Sequence, residues 1–216
     1  MVLRQLQDLL AGIYDLPVAY DVYDFVFTDR RFLPAGARDA RSDEQLLVRQ
    51  DGEEAALGLF LSADLLQRLN ACNPIRALNA ANLSDYWTAL EGVSHFLYLA
   101  WNAAHDRAVS LLELEMQAEV DKYIASVWLL WAQDPARYPS ELHRLLFTRC
   151  RVDAVLAGDR QQLYREASQY AARFCRRLEQ GLRARRLPAQ ADALRELRQF
   201  YRLSRERKVS HIRRHA

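Results

Sequence analysis

Apolar residues recur every three to four positions over most of this chain, and every second position over one short part of it. Near the start Leu3, Leu6, Leu9, Leu10 and Ile13 share a helical stripe, and Gly12 stands where that helix is predicted to end. After Pro17 the period changes to two. From Tyr20 to Thr28, Tyr23, Phe25 and Phe27 point one way and Asp24 and Thr28 the other, which predicts a strand. Two further apolar runs, Gln45 to Arg49 and Ala56 to Leu61, flank Asp51-Gly52. That pair tolerates the positive φ of a primed turn, so the segment predicts a hairpin with Glu53 and Glu54 at its wet end. Such a sheet of about three antiparallel strands has one face to cover.

The rest reads as helices. Ser62 is placed to cap a helix over Ala63 to Asn70. The densest periodicity follows, from Ser84 to Trp131, as two helices with a break near His105-Asp106-Arg107. In the first, Tyr86, Leu90, Val93, Leu97, Ala100 and Trp101 form the apolar stripe, and Glu91, His95, Tyr98 and Asn102 lie opposite. In the second, Ser110 and Glu113 have capping-box spacing ahead of the stripe Leu112, Met116, Val120, Tyr123, Ile124, Val127 and Leu130. Ser140 is expected to cap a helix running to about Arg151. Asp159 and Gln162 open a long one on Leu163, Ala167, Tyr170, Phe174 and Leu178. Pro188 closes it, and a last helix is expected from Ala189 to about Arg213. The expected class is α+β and predominantly helical. A helix-plus-sheet module (1–65) and a helical bundle with a basic C-terminal hairpin (66–216) are joined without any linker-like composition shift, as one packed unit.

The central pair carries the one chemically suggestive cluster: Glu91, His95, Glu115 and Glu119. If the two helices fold back near residue 107, His95 and Glu119 lie twelve residues either side of the turn and come level. Glu91 and His95 are one turn apart, as are Glu115 and Glu119, so Glu91, His95 and Glu119 are candidate metal ligands. Against this, the hairpin lacks the Glu-x-x-His pair that each of two helices gives a carboxylate-bridged dinuclear bundle. The periodicity also puts Glu91 and His95 away from the apolar stripe. The expectation is therefore a solvated polar face with ordinary Glu–Lys pairs, and no cofactor.

Composition narrows the function further. Hydrophobic residues make up 50% of the chain and charged ones 27%, an ordinary globular balance, while seven glycines and six prolines are few, which favours helices. Cys72, Cys150 and Cys175 are far apart with no Cys-x-x-Cys, so buried reduced thiols in a cytoplasmic protein are expected. The start lacks a signal-peptide profile, and the longest apolar run, Ile124 to Ala132, is too short to span a bilayer. No Gly-rich phosphate loop, Gly-Lys-Ser/Thr or Gly-x-Ser-x-Gly element occurs. His143 near Glu141 and His105 beside Asp106 are single pairs, short of a triad.

Charge divides the chain. The net +2 conceals fourteen Lys/Arg against four Asp/Glu in residues 173–216, a balance of +10, and hence −8 over residues 1–172. Arg165, Arg173, Arg176 and Arg183 align on one helix, and Arg195, Arg198, Arg202 and Arg205 on the next. Guanidinium groups suit bidentate contact with carboxylate or phosphate. The expected function is accordingly that of a non-enzymatic interaction protein. Arg173, Arg176, Arg183, Arg195, Arg198, Arg202 and Arg205 would meet an acidic protein or nucleic acid, with homo-oligomerisation left open. Tyr164 and Tyr201 read as core edges rather than base-stacking platforms, and no helix-turn-helix, RNA-recognition or zinc signature is present.

The different-class alternative is a helical enzyme, either metal-dependent through Glu91, His95 and Glu119 or a ribonuclease. Arg205 and His211 have an Arg-x5-His spacing, similar to the Arg-x4–6-His motif of HEPN-type helical ribonucleases. That resemblance covers seven residues and implies phosphodiester cleavage by the arginine and the histidine.

Overall fold

The computed structural model describes residues 1–38, 42–51, 54–148, 158–183 and 187–214. Helix α1 (Val2–Tyr14) runs straight through Gly12 and stops at Asp15, whose backbone is left-handed at φ 55°. Its buried face is Leu3, Leu6, Leu10, Ile13 and Tyr14. The alternating segment after it is mostly not a strand. The Asp21 carboxylate accepts from Tyr23 N and winds Val22–Asp24 into a 3₁₀ turn, leaving β1 as Val26–Phe27 alone. A second 3₁₀ turn (Arg30–Phe32) and the short α2 (Ala35–Arg38) follow.

Strands β2 (Glu44–Asp51) and β3 (Glu54–Leu61) form the expected hairpin, in register from Glu44 opposite Leu61 to Asp51 opposite Glu54. Its tip, Gly52-Glu53, lies outside the described residues. The sheet is mixed rather than antiparallel, because β1 pairs alongside β3 in parallel and the order is β1-β3-β2. As the central strand, β3 is covered on both sides. Leu59 meets α4, whereas Phe60 meets the Phe27 ring and the Arg30 guanidinium, each on the β1 side.

Helix α3 (Ala63–Ala71) is capped as read, with Ser62 Oγ accepting from Leu65 N at 3.1 Å. Helices α4 (Leu83–Ala103) and α5 (Leu111–Gln133) make the central hairpin. Ser110 accepts from Glu113 N, but only half of the capping box forms, because the Glu113 carboxylate instead accepts from Tyr98 OH at 2.5 Å. Helix α5 is buried all round from Glu115 to Val127, enclosed by α4, α1, α6 (Leu142–Thr148) and α7 (Gly158–Arg183). A helix so placed is normally apolar on every side. This one buries Glu113, Glu115, Gln117, Glu119, Asp121, Lys122 and Ser126. The expected extension of α6 towards Arg151, and Cys150, lie outside the described residues.

The last helix is two. Helix α8 (Leu187–Tyr201) ends in a tight turn, and α9 (Arg205–Arg214) restarts with Lys208 N donating to Ser204 O at 2.8 Å. Turning there buries Lys208 and Ile212, which a straight helix would carry past the body. One hydrophobic core then runs from Val2 to Ile212, with the Phe174 and Phe200 rings stacked 3.8 Å apart between α7 and α8. Among the described residues no helix is long and apolar enough to cross a membrane. Cys72 is exposed and Cys175 buried, and both are free thiols.

Candidate metal centre

Three layers converge on one polar centre. Helix α4 supplies Glu91 and His95, α5 supplies Glu115, Glu119 and Lys122, and the first residue of β2 supplies Glu44. Contact between sheet and helix depends on Gly92. A Cβ there would fall 2.8 Å from Leu59 Cδ1, 3.0 Å from Glu44 Cγ and 3.2 Å from Glu44 Oε1, so a larger residue would push Leu59 and Glu44 from their present positions. Tyr164, on α7, closes on the same group, its phenol pushed up by burial and by Glu115 and Glu91.

The expectation of a solvated face is therefore overturned. The side chains of His95 and Glu115 are each 6% exposed, and Glu119, Lys122 and Glu44 little more. Glu91 is the most open at 27%, and marks the side from which solvent reaches the group. The physical reason is that periodicity reports one helix against one core, whereas here the sheet and α7 cover the flank the apolar stripe leaves bare.

Two chains of charge run through the centre. Lys122 Nζ bridges Glu91 Oε2 at 2.6 Å and Glu119 Oε1 at 2.8 Å. His95 lies between Glu44 Oε1, 3.9 Å from Nδ1, and Glu115 Oε2, 3.6 Å from Nε2. Both separations exceed hydrogen-bond length. His95 Nε2, Glu44 Oε1 and Glu119 Oε2 accordingly have no hydrogen-bond partner although buried. Burial alone would push the His95 imidazole down, but Glu115 and Glu44 outweigh it and raise it to about 10. Burial raises Glu44. Burial works against ionised Glu91 as well, but Lys122 and His95 prevail and hold it low. Lys122 stays charged despite burial because Glu91 and Glu119 face it.

Four carboxylates thus face two cationic groups in a space with little water. Ligand atoms of Glu44, Glu91 and His95 all lie within 4.8 Å of one another. Oxygen ligands plus one imidazole are the donor set of divalent Mn, Fe, Co or Zn. A bound ion acts as a Lewis acid or lowers the pKa of a bound water. Of the three ligands expected from sequence, Glu91 and His95 belong to this set, while Glu119 is turned towards Lys122. Glu44 takes the third position. It went unnoticed because it lies 47 residues from Glu91 at the edge of a strand. No known protein family, curated protein or solved structure matches the chain.

The arginines of the C-terminal region are divided among different tasks. Arg198 donates to the carbonyls of Ile13 and Gly12, and Arg202 to those of Tyr14 and Asp15, so both cap the C-terminus of α1. Arg183 and Arg176 converge on buried Glu179 at 2.7 and 3.7 Å. Arg195 pairs with Asp192 and Arg205 with Glu206. Arg173 is different. With Arg165 and Arg213 it lines a polar cleft of about 460 Å³ between α7 and α9. There Arg213 bonds the Tyr170 hydroxyl, Arg165 bonds Gln161, and Arg173 has no acidic partner among the described residues. His211 turns to Glu196 and Arg177 rather than towards Arg205. His143 is held by the Ala172 carbonyl, and His105 by that of Trp101.

Proposed function

We propose that this chain is a divalent-metal protein of the helical-bundle enzyme class. Glu44, Glu91 and His95 would hold one ion, and the Glu91 side would be the entry for a small ligand. One observation carries the reading: Glu44 Oε1 is buried without a hydrogen-bond partner, 3.9 Å from His95 Nδ1, among carboxylates that outnumber their counter-charges. A buried polar group left in that condition costs about 1–3 kcal/mol, which a bound cation would recover. The test is Mn²⁺ or Zn²⁺ titration of chelator-stripped protein by calorimetry. One ion per chain is expected, with Glu44→Gln and His95→Gln each weakening it by at least about tenfold. No binding by the unsubstituted protein would end the reading.

A second reading is favoured by the cleft between α7 and α9. We propose that an acidic protein or a nucleic acid docks there on Arg165, Arg173 and Arg213, which line the cleft with Glu166 and pair with no carboxylate among the described residues. Arg176, Arg183, Arg195, Arg198, Arg202 and Arg205 then serve the fold more than the partner. Binding should weaken with salt and fall on Arg173→Ala, whereas equal affinity of that variant for a polyanion such as heparin would count against it. A cytoplasmic setting accompanies both readings, in keeping with the free thiols of Cys72 and Cys175.

A further inference from the structure

The two halves of the buried centre differ in what fills them. The half made by Glu44, Glu91 and His95 brings ligand atoms within 4.8 Å of one another. The other half already holds a cation, the ammonium of Lys122, taken up by one oxygen of Glu91 and one of Glu119 from neighbouring helices. Carboxylates from two helices closing on a single positive charge is also how a metal pair is held. Metal–oxygen bonds of roughly 2.0–2.2 Å are about 0.4–0.8 Å shorter than the ammonium contacts at 2.6 and 2.8 Å.

We infer that Lys122 stands in for a second metal ion and so fixes the centre as mononuclear. The inference rests on the metal reading above and specifies it further. Charge supports it. Ligation requires a neutral imidazole, so one divalent ion plus Lys122 leaves the four carboxylates with one unit of negative charge. Without the lysine, two divalent ions neutralise the four completely. Glu119 Oε2, buried with no hydrogen-bond partner, is the free oxygen such an ion would take. Glu91 reaches both halves and would bridge.

Lys122→Met keeps most of the stem and its packing and removes the ammonium. Calorimetric titration with Mn²⁺ is expected to give one ion for the parent and two for Lys122→Met. The variant should also show an exchange-coupled electron paramagnetic resonance signal, as expected for ions about 3.5–4 Å apart. One ion in each overturns the inference and leaves the metal reading standing. None in the parent overturns that reading, and the inference with it. If Lys122→Met does not fold, Glu119→Gln decides in the parent background. An affinity unchanged within about threefold keeps Glu119 outside the first ion's ligands, as inferred, whereas a loss equal to that of Glu44→Gln overturns it.

Discussion

Helix α5 carries two buried polar groups of opposite character. On its Glu115–Glu119–Lys122 side, shared with Glu44, Glu91 and His95, three polar atoms have no hydrogen-bond partner. On its Gln117–Asp121 side every side chain is engaged. Asp121 accepts from Tyr14 and from Gln117 at one oxygen and from Ser94, at 2.6 Å, at the other. Gln117 also reaches the Tyr14 hydroxyl and accepts from Lys208, whose ammonium lies 4.6 and 4.7 Å from the Tyr98 and Phe200 rings. Residues a few positions apart on one helix thus form a closed network that ties α1, α4, α5 and α9 together, and an open one that leaves polar atoms without hydrogen-bond partners. Completed buried networks specify a fold. Incomplete ones call for an explanation, and the metal reading proposed above is one.

Removing the hub of each network should separate them most clearly. Asp121→Ala strands Tyr14, Ser94 and Gln117 together, and should cost about 3–5 kcal/mol in urea unfolding. Glu44→Gln in metal-free protein should change stability by no more than about 1 kcal/mol, because burial already raises this carboxyl towards its neutral form. Equal losses in the two variants would erase the distinction.

Next comes pH. Burial lowers Lys208 to about 7, outweighing the attraction of Glu113 and Asp121, and Arg107 adds to the depression. The folded state therefore binds fewer protons than the unfolded one between pH 7 and 10, so Lys208 adds stability as pH rises through that window. His95, raised to about 10, acts with the opposite sign over the same range. The informative quantity is a difference. The stability of metal-free parent minus that of Lys208→Met should grow from pH 7 to 10, on the order of a few kcal/mol. A flat difference would mean that burial does not hold Lys208 neutral.

The smallest effect concerns the approach of sheet to helix. Gly92→Ala gains helix propensity of about 1 kcal/mol but overpacks against Leu59 and Glu44, for a net loss of about 1 kcal/mol. The more telling readout is Mn²⁺ affinity, expected to fall about tenfold as Glu44 is displaced. Undiminished affinity would remove Glu44 from the ligand set.

Read from sequence, periodicity and local chemistry located most helices, the Ser62 cap, the Ser110 start and the β2–β3 hairpin, since each depends on residues within a few positions of one another; the ladder itself pairs Asp51 with Glu54, one residue on from a turn centred on Asp51-Gly52. They failed where a local signal was overruled. The Asp21 side chain turned a strand-like alternation into a 3₁₀ turn, and a turn after Tyr201 divides what reads as one helix into α8 and α9. Glu91 and His95 were legible as a pair, but their burial was not, because the covering strand and α7 are remote in the chain. The basic tail shows the same limit. Composition revealed the excess of arginine, yet only packing separated Arg198 and Arg202, which bond α1, from Arg173, which faces the cleft. A sequence determines what each residue can bond. Which partner it meets is decided when distant segments close together and exclude water.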